Sequence, residues 1–160
     1  MSSRLLFSLA LVLVFSACGT QAQSPPTADE QIAAAVKAAP APMRETATVL
    51  GYDDTMRLTT LREGNGPLVC LADDPTNDKL HVSCYHEDLE PFMKRGRELR
   101  RQGNGGAAVD SIRRAEIEAG TLSYPDRPVA LYNLSGAGYD ATADSVRNGS
   151  RLRVLYVPYE

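Results

Sequence analysis

Hydrophobic positions change their period several times along the chain, and each change marks a new element. Behind one cation, Arg4, residues Leu5 to Phe15 form an apolar run that stops at Ser16-Ala17-Cys18-Gly19. Eleven residues fall short of the about 18 that a helix needs to cross a bilayer, so the run reads as an export signal with a small-residue cleavage site. Gly19 to Pro26 is polar and proline-bearing, the composition of a tether that buries too little surface to order itself. Thr27-Ala28-Asp29-Glu30 then has the capping-box pattern ahead of Ile32 to Val36, which predicts a helix from Ala28 to Ala39. Pro40-Ala41-Pro42 ends it, because proline lacks the donor and restricts its predecessor.

From Thr46 the period drops towards two. Thr46 to Tyr52 is β-branched and aromatic, Asp53-Asp54 signals a turn, and Met56 to Arg62 alternates, which predicts a hairpin. Gly64-Asn65-Gly66-Pro67 leads into Leu68-Val69-Cys70-Leu71, and a three-strand meander is the economical arrangement. After the loop Asp73 to Asp78, Leu80 to Tyr85 is another short extended piece. Leu89, Phe92, Met93, Gly96 and Leu99 then place one stripe on a helix from about Glu87 to Arg101, and Ala107 to Ala119 predicts a second. Val129 to Leu134 and Leu152 to Val157 read as the last strands, joined by a glycine-bearing loop from Ser135 to Ser150. Strictly alternating βαβ units are lacking. The expected class is α+β, with an antiparallel sheet of about five strands and helices packed on one face.

Composition adds limits. The 160 residues suffice for one domain and a short appendage: signal peptide 1–17, tether 18–27, and a single α+β domain over 28–160. With 17 Lys and Arg against 20 Asp and Glu, the formal net charge is −3, so no nucleic-acid partner is expected. Phe15-Ser16-Ala17-Cys18 resembles the bacterial lipobox, with Phe15 where leucine is usual. That resemblance implies a lipoprotein, its Cys18 carrying diacylglyceryl and palmitate chains. Cysteine counting agrees, because removing Cys18 leaves the even pair Cys70 and Cys84. Closing a loop of about 15 residues in an oxidising compartment stabilises a fold by about 3 kcal/mol in the chain-entropy treatment.

The strand ending Leu61-Arg62-Glu63-Gly64, followed by Cys70, the loop Asp73-Asp74-Pro75 and Cys84, resembles a family of uncharacterised exported bacterial proteins. The likeness covers about residues 46 to 84, and Leu68 stands in the region where that family carries an aromatic. It implies no activity and no catalytic residue.

Candidate chemistry is sparse. His81 and His86 are the only histidines, and Asp73, Asp74, Asp78, Glu87 and Asp88 lie near them in sequence. Their spacing fits neither a helical zinc pair nor a finger, and the aspartate loop lacks the calcium register, so no metal or other cofactor is expected. Ser83 has no G-x-S-x-G context, and the Ser135 to Asp140 loop lacks the lysine of a phosphate cradle. Lys94, Arg95, Arg97, Arg100 and Arg101 instead form a cationic tract, a solvated helix face or a surface turned towards anionic headgroups or polymer. The expectation is a lipid-anchored, non-enzymatic binding or structural module of the cell envelope, facing the periplasm or exterior. Its partners are the membrane, through Cys18, and an anionic envelope surface or another envelope protein. The alternative is a small periplasmic hydrolase or metal-dependent enzyme using His81, His86 and nearby carboxylates.

Overall fold

A computed structural model describes residues 24–158. The apolar run, the cleavage site and Cys18 lie outside the described residues.

Helix α1 spans Ala28–Ala35 and begins as its sequence requires: Thr27 Oγ1 accepts from Glu30 N at 3.4 Å, and Glu30 Oε2 accepts from Thr27 N at 3.0 Å. The helix tightens into a 3₁₀ turn over Val36–Ala38 before Pro40, so the predicted extent holds although its last turn is not α. Gln31 is the buried polar residue of α1. Its side-chain amide donates to Pro26 O at 2.8 Å and Tyr52 O at 2.9 Å and accepts from Tyr52 N at 2.8 Å. Pro26, expected in the tether, is thereby tied to the folded domain.

The strands are β1 Thr48–Tyr52, β2 Leu58–Arg62, β3 Leu68–Leu71, β4 Leu80–His86, β5 Val129–Gly136, β6 Gly138–Asp140, β7 Ser145–Arg147 and β8 Ser150–Tyr156. Between β4 and β5 the chain makes a 3₁₀ turn, Glu87–Leu89, then α2 Glu90–Arg101 and α3 Gly106–Glu118. The main sheet has six strands in the order β2-β1-β3-β4-β5-β8, one more than expected. The sixth is accounted for by Leu80–His86, which is a full inner strand paired on both sides and not an accessory piece. The class is α+β. Within the predicted Ser135–Ser150 loop, β6 and β7 form a separate two-stranded sheet.

Two expectations are corrected. Residues 46–71 do not form a meander: β1 lies between β2 and β3, antiparallel to the first and parallel to the second. The β2–β3 connection therefore passes across the entry to β1. Gly64 makes this possible, because a Cβ there would lie 2.2 Å from Thr46 O and 2.4 Å from Thr48 N. Gly66 N closes the crossing with a 2.8 Å bond to Thr46 O.

The helices also cover both faces of the sheet. Alternation in β4 sends Leu80, Val82 and Cys84 to one side and Tyr85 to the other. Ala34, Ala35, Val36, Ala38 and Ala39 pack on the first side, with Val49, Cys70 and Leu134. Leu89 and Phe92 pack on the second, with Val69, Val129 and Leu131. The chain needs both layers because β3 is apolar on both of its faces, Leu68 and Cys70 on one and Val69 on the other.

Candidate functional site

The cationic tract of α2 divides by its partners. Arg95 donates to both oxygens of Glu116, with Nε at 3.0 and 2.9 Å and a terminal nitrogen at 2.6 Å, and so fastens α2 to α3. Those hydrogen bonds hold the Glu116 carboxyl below its ordinary range. Arg97 turns inward, reaching Glu90 Oε1 at 2.6 Å and the Tyr85 hydroxyl at 2.9 Å. That hydroxyl donates to Glu90 Oε2 at 2.6 Å, closing a three-residue network, and burial pushes its ionisation well up. Lys94, Arg100 and Arg101 are exposed, and none has an ion pair among the described residues.

Arg97, Arg100 and Arg101 line one open cleft of about 540 Å³ between α2 and the β1–β2 hairpin. The hairpin supplies Tyr52, Met56, Arg57 and Leu58, and the loop after β3 supplies Asp74 and Thr76. Four guanidinium groups thus line the cleft, Arg97 paired with Glu90 and Arg57 with Asp53 at 3.5 Å, beside the Asp74 carboxylate, an aromatic ring and two apolar side chains. Asp53 shapes the hairpin rim: its Oδ1 accepts from Thr55 N at 2.9 Å and Arg57 N at 3.0 Å. Tyr52 is half-buried in the wall, and burial followed by the Asp74 and Asp73 carboxylates raises its hydroxyl above the ordinary value. An arrangement of this kind holds an anion by charge and by the planar guanidinium donors. Sequence patterning found Arg97, Arg100 and Arg101 but missed Arg57, Tyr52 and Met56, which a turn about forty positions earlier delivers to the same cleft.

The histidines are not brought together. His81 and His86 differ by an odd number of positions on β4 and occupy opposite faces. His86 sits at the strand end, its Nδ1 3.2 Å from Asp88 N and its Nε2 3.2 Å from Arg127, where it caps the following 3₁₀ turn. His81 joins a polar array on the sheet: Nδ1 lies 2.8 Å from Ser135 Oγ and Nε2 lies 3.4 Å from Ser83 Oγ. Ser83 donates its one proton to Asn133 Oδ1 at 2.6 Å. His81 Nε2 then faces an oxygen with no proton left to give, which is the wrong arrangement for activating a serine.

The nearby carboxylates have structural partners. Asp73 accepts from His81 N at 2.8 Å, with its carboxyl raised by burial. Asp74 accepts from Thr76 N at 2.9 Å and Asp88 pairs with Arg127 at 2.8 Å. Glu87 and Asp78 are exposed. Among the described residues no three His, Cys, Asp or Glu side chains converge as a metal-binding group.

Cys70 and Cys84 stand directly opposite each other on β3 and β4 and form a disulfide, with Cα atoms 4.0 Å apart. No helix among the described residues is long and apolar enough to cross a membrane. No family model, curated protein or solved structure matches this chain.

Proposed function

We propose that this chain is a lipid-anchored protein of the bacterial cell envelope, attached through Cys18, whose folded domain binds an anionic group of that envelope without altering it. The cleft of Arg57, Arg97, Arg100 and Arg101 is the observation that carries the binding reading. With Arg97 paired to Glu90 and Arg57 to Asp53, the exposed Arg100 and Arg101 against Asp74 leave it an excess of positive charge in a chain whose net charge is −3. The Cys70–Cys84 pairing supports the anchor, because Cys18 is then the one cysteine without a partner thiol. Thr27 caps the first helix nine positions beyond Cys18, close enough to keep the cleft near the membrane surface. Each cation near an anionic bilayer contributes about 1 kcal/mol, so lipid supplies the residence and the cleft supplies the contact.

One experiment tests both parts. Cells carrying the wild-type chain or Cys18→Ala are fractionated, and protein beginning at Gly19 is mixed with phosphatidylglycerol vesicles or with inorganic polyphosphate. The wild type belongs in the membrane fraction and Cys18→Ala does not. The unlipidated protein binds at low salt and releases as the Debye length falls from about 10 Å at 0.1 M salt to about 3 Å at 1 M. Vesicle binding without polyphosphate binding assigns the group to lipid, and the reverse assigns it to a phosphate polymer. Changing Arg57, Arg100 and Arg101 together to Gln should weaken binding about a hundredfold, at about 1 kcal/mol per charge. Equal binding by wild type and variant overturns the cleft; unchanged fractionation of Cys18→Ala overturns the anchor.

A further inference from the structure

On the sheet face covered by α1, the β5–β8 pair gathers cations that no acid has claimed. Arg151 and Arg153 are two positions apart on β8, so both stand on the face of Leu134 and Tyr132, their register partners on β5. Arg44 is carried beside them by the 3₁₀ turn Ala41–Met43. These three guanidinium groups line an open cleft of about 470 Å³, together with Ala38, Ala39 and Pro40. Among the described residues that line it there is no carboxylate.

Neutral partners hold the three arginines in place. Arg44 Nε donates to Ala39 O at 3.1 Å, Arg151 donates to Lys37 O at 2.9 Å, and Arg153 lies 5.2 Å from the centre of the Tyr132 ring. Each spends at most one N–H donor in these contacts, and none of the three has an ion pair among the described residues. On α2 the opposite holds, where Glu116 neutralises Arg95 and Glu90 neutralises Arg97. An adjoining groove that shares Arg44 and Arg151 does contain a carboxylate, Asp144, but Lys37 and the Tyr139 hydroxyl already bind it.

We propose that this cleft binds a phosphate monoester of a small organic molecule, at a site separate from the cleft on α2. Three fixed positive charges match a group of charge about −2 better than a single carboxylate, and planar guanidinium forks suit phosphate oxygens. The volume is that of a small-molecule site and leaves room beyond the phosphate, where Ala38, Ala39 and Pro40 offer the organic part an uncharged surface. The two clefts belong to opposite layers: Ala38 and Ala39 pack on the side of Cys70 and Cys84, whereas Arg97 reaches Tyr85 on the other.

The test is a calorimetric titration of the full chain, in neutral detergent, with glycerol 3-phosphate, inorganic phosphate and glycerol. Glycerol 3-phosphate should bind more tightly than inorganic phosphate, and glycerol should not bind. Arg44→Gln and Arg151→Gln also remove contacts to the backbone, so the exposed Arg153 carries the test: Arg153→Gln should weaken the monoester about tenfold while melting as the wild type does. No binding of glycerol 3-phosphate, binding no tighter than that of inorganic phosphate, or binding unaffected by Arg153→Gln overturns the proposal. Loss of the monoester on changing Arg57, Arg100 and Arg101 together to Gln would place it in the α2 cleft and overturns the proposal too.

Discussion

The two faces of the sheet are closed by opposite means. Over Val49, Cys70, Val82 and Cys84 lie alanines, and the backbone of α1 comes so near that Cys84 Sγ is 3.4 Å from Ala35 O. Over Val69, Tyr85 and Leu131 lie large side chains, with Tyr124 and Tyr156 meeting the Phe92 ring edge-on at 5.3 and 5.9 Å. Charge goes deeper into this second layer, where Arg113 is buried 3.7 Å from the Phe92 centroid and Arg97 reaches Tyr85 and Glu90 beneath α2, whereas on the first Lys37 pairs with the exposed Asp144 at the rim. The first layer depends on closeness and one covalent bond, the second on ring packing and charge-assisted hydrogen bonds. Different perturbations should therefore find different faces.

Removing the disulfide is the strongest way to break the contrast. Cys70→Ala with Cys84→Ala should lower unfolding stability by about 3 kcal/mol in urea titrations, the chain-entropy value for a loop of about 15 residues. A loss below about 1 kcal/mol would mean that the alanine layer holds without its staple.

A smaller effect is expected from Tyr85→Phe on the other face, about 1–2 kcal/mol, because Glu90 and Arg97 keep their charges and lose a buried partner. Thermal melts of this variant, of Glu90→Gln and of the two changes combined would show whether the groups act as a unit, since a connected network is non-additive.

The smallest effect sharpens the comparison through pH. Arg95 holds the Glu116 carboxyl below 4.5, and a group depressed in the folded state contributes stability above its unfolded value. That contribution is lost as pH falls through the folded value. The stability difference between wild type and Glu116→Gln should stay constant from pH 7 to about 5 and then shrink below 4.5, while the disulfide variant shows no such trend.

Local signals in the sequence were followed closely by the structure. The Thr27–Glu30 capping box, the stripe of Leu89, Phe92 and Leu99, and the pairing of Cys70 with Cys84 all appear where patterning placed them. Non-local arrangements were not legible. Gly64 and Gly66 read as an ordinary turn, and nothing in their neighbours says that the turn must pass over Thr46 and seat β3 beside β1. The alternation of β4 shows that it has two faces but not that a helix waits on each. The arginines of α2 follow the same rule: Arg95 is matched by Glu116, 21 positions away, and no helical spacing announces that pair. Arg57 joins the cleft through tertiary contact alone, so the candidate site was half legible, and the half that was read lies on a single helix.

Between β4 and β5 lies a further consequence. These strands are antiparallel neighbours, with Tyr85 opposite Leu131, so everything from Glu87 to Pro128 is in topological terms an enlarged hairpin loop. α2 and α3 belong to it, and their removal from the sheet would break no rung of the β-ladder. What holds such a unit to the strands is packing, through Leu89 and Phe92 on Tyr85 and Leu131, and not backbone pairing. It is also the segment that can change length or be replaced at small topological cost, since lengthening a loop raises its closure entropy only logarithmically. The cleft thus takes one wall from a segment inserted between two paired strands and the other from a hairpin of the sheet itself.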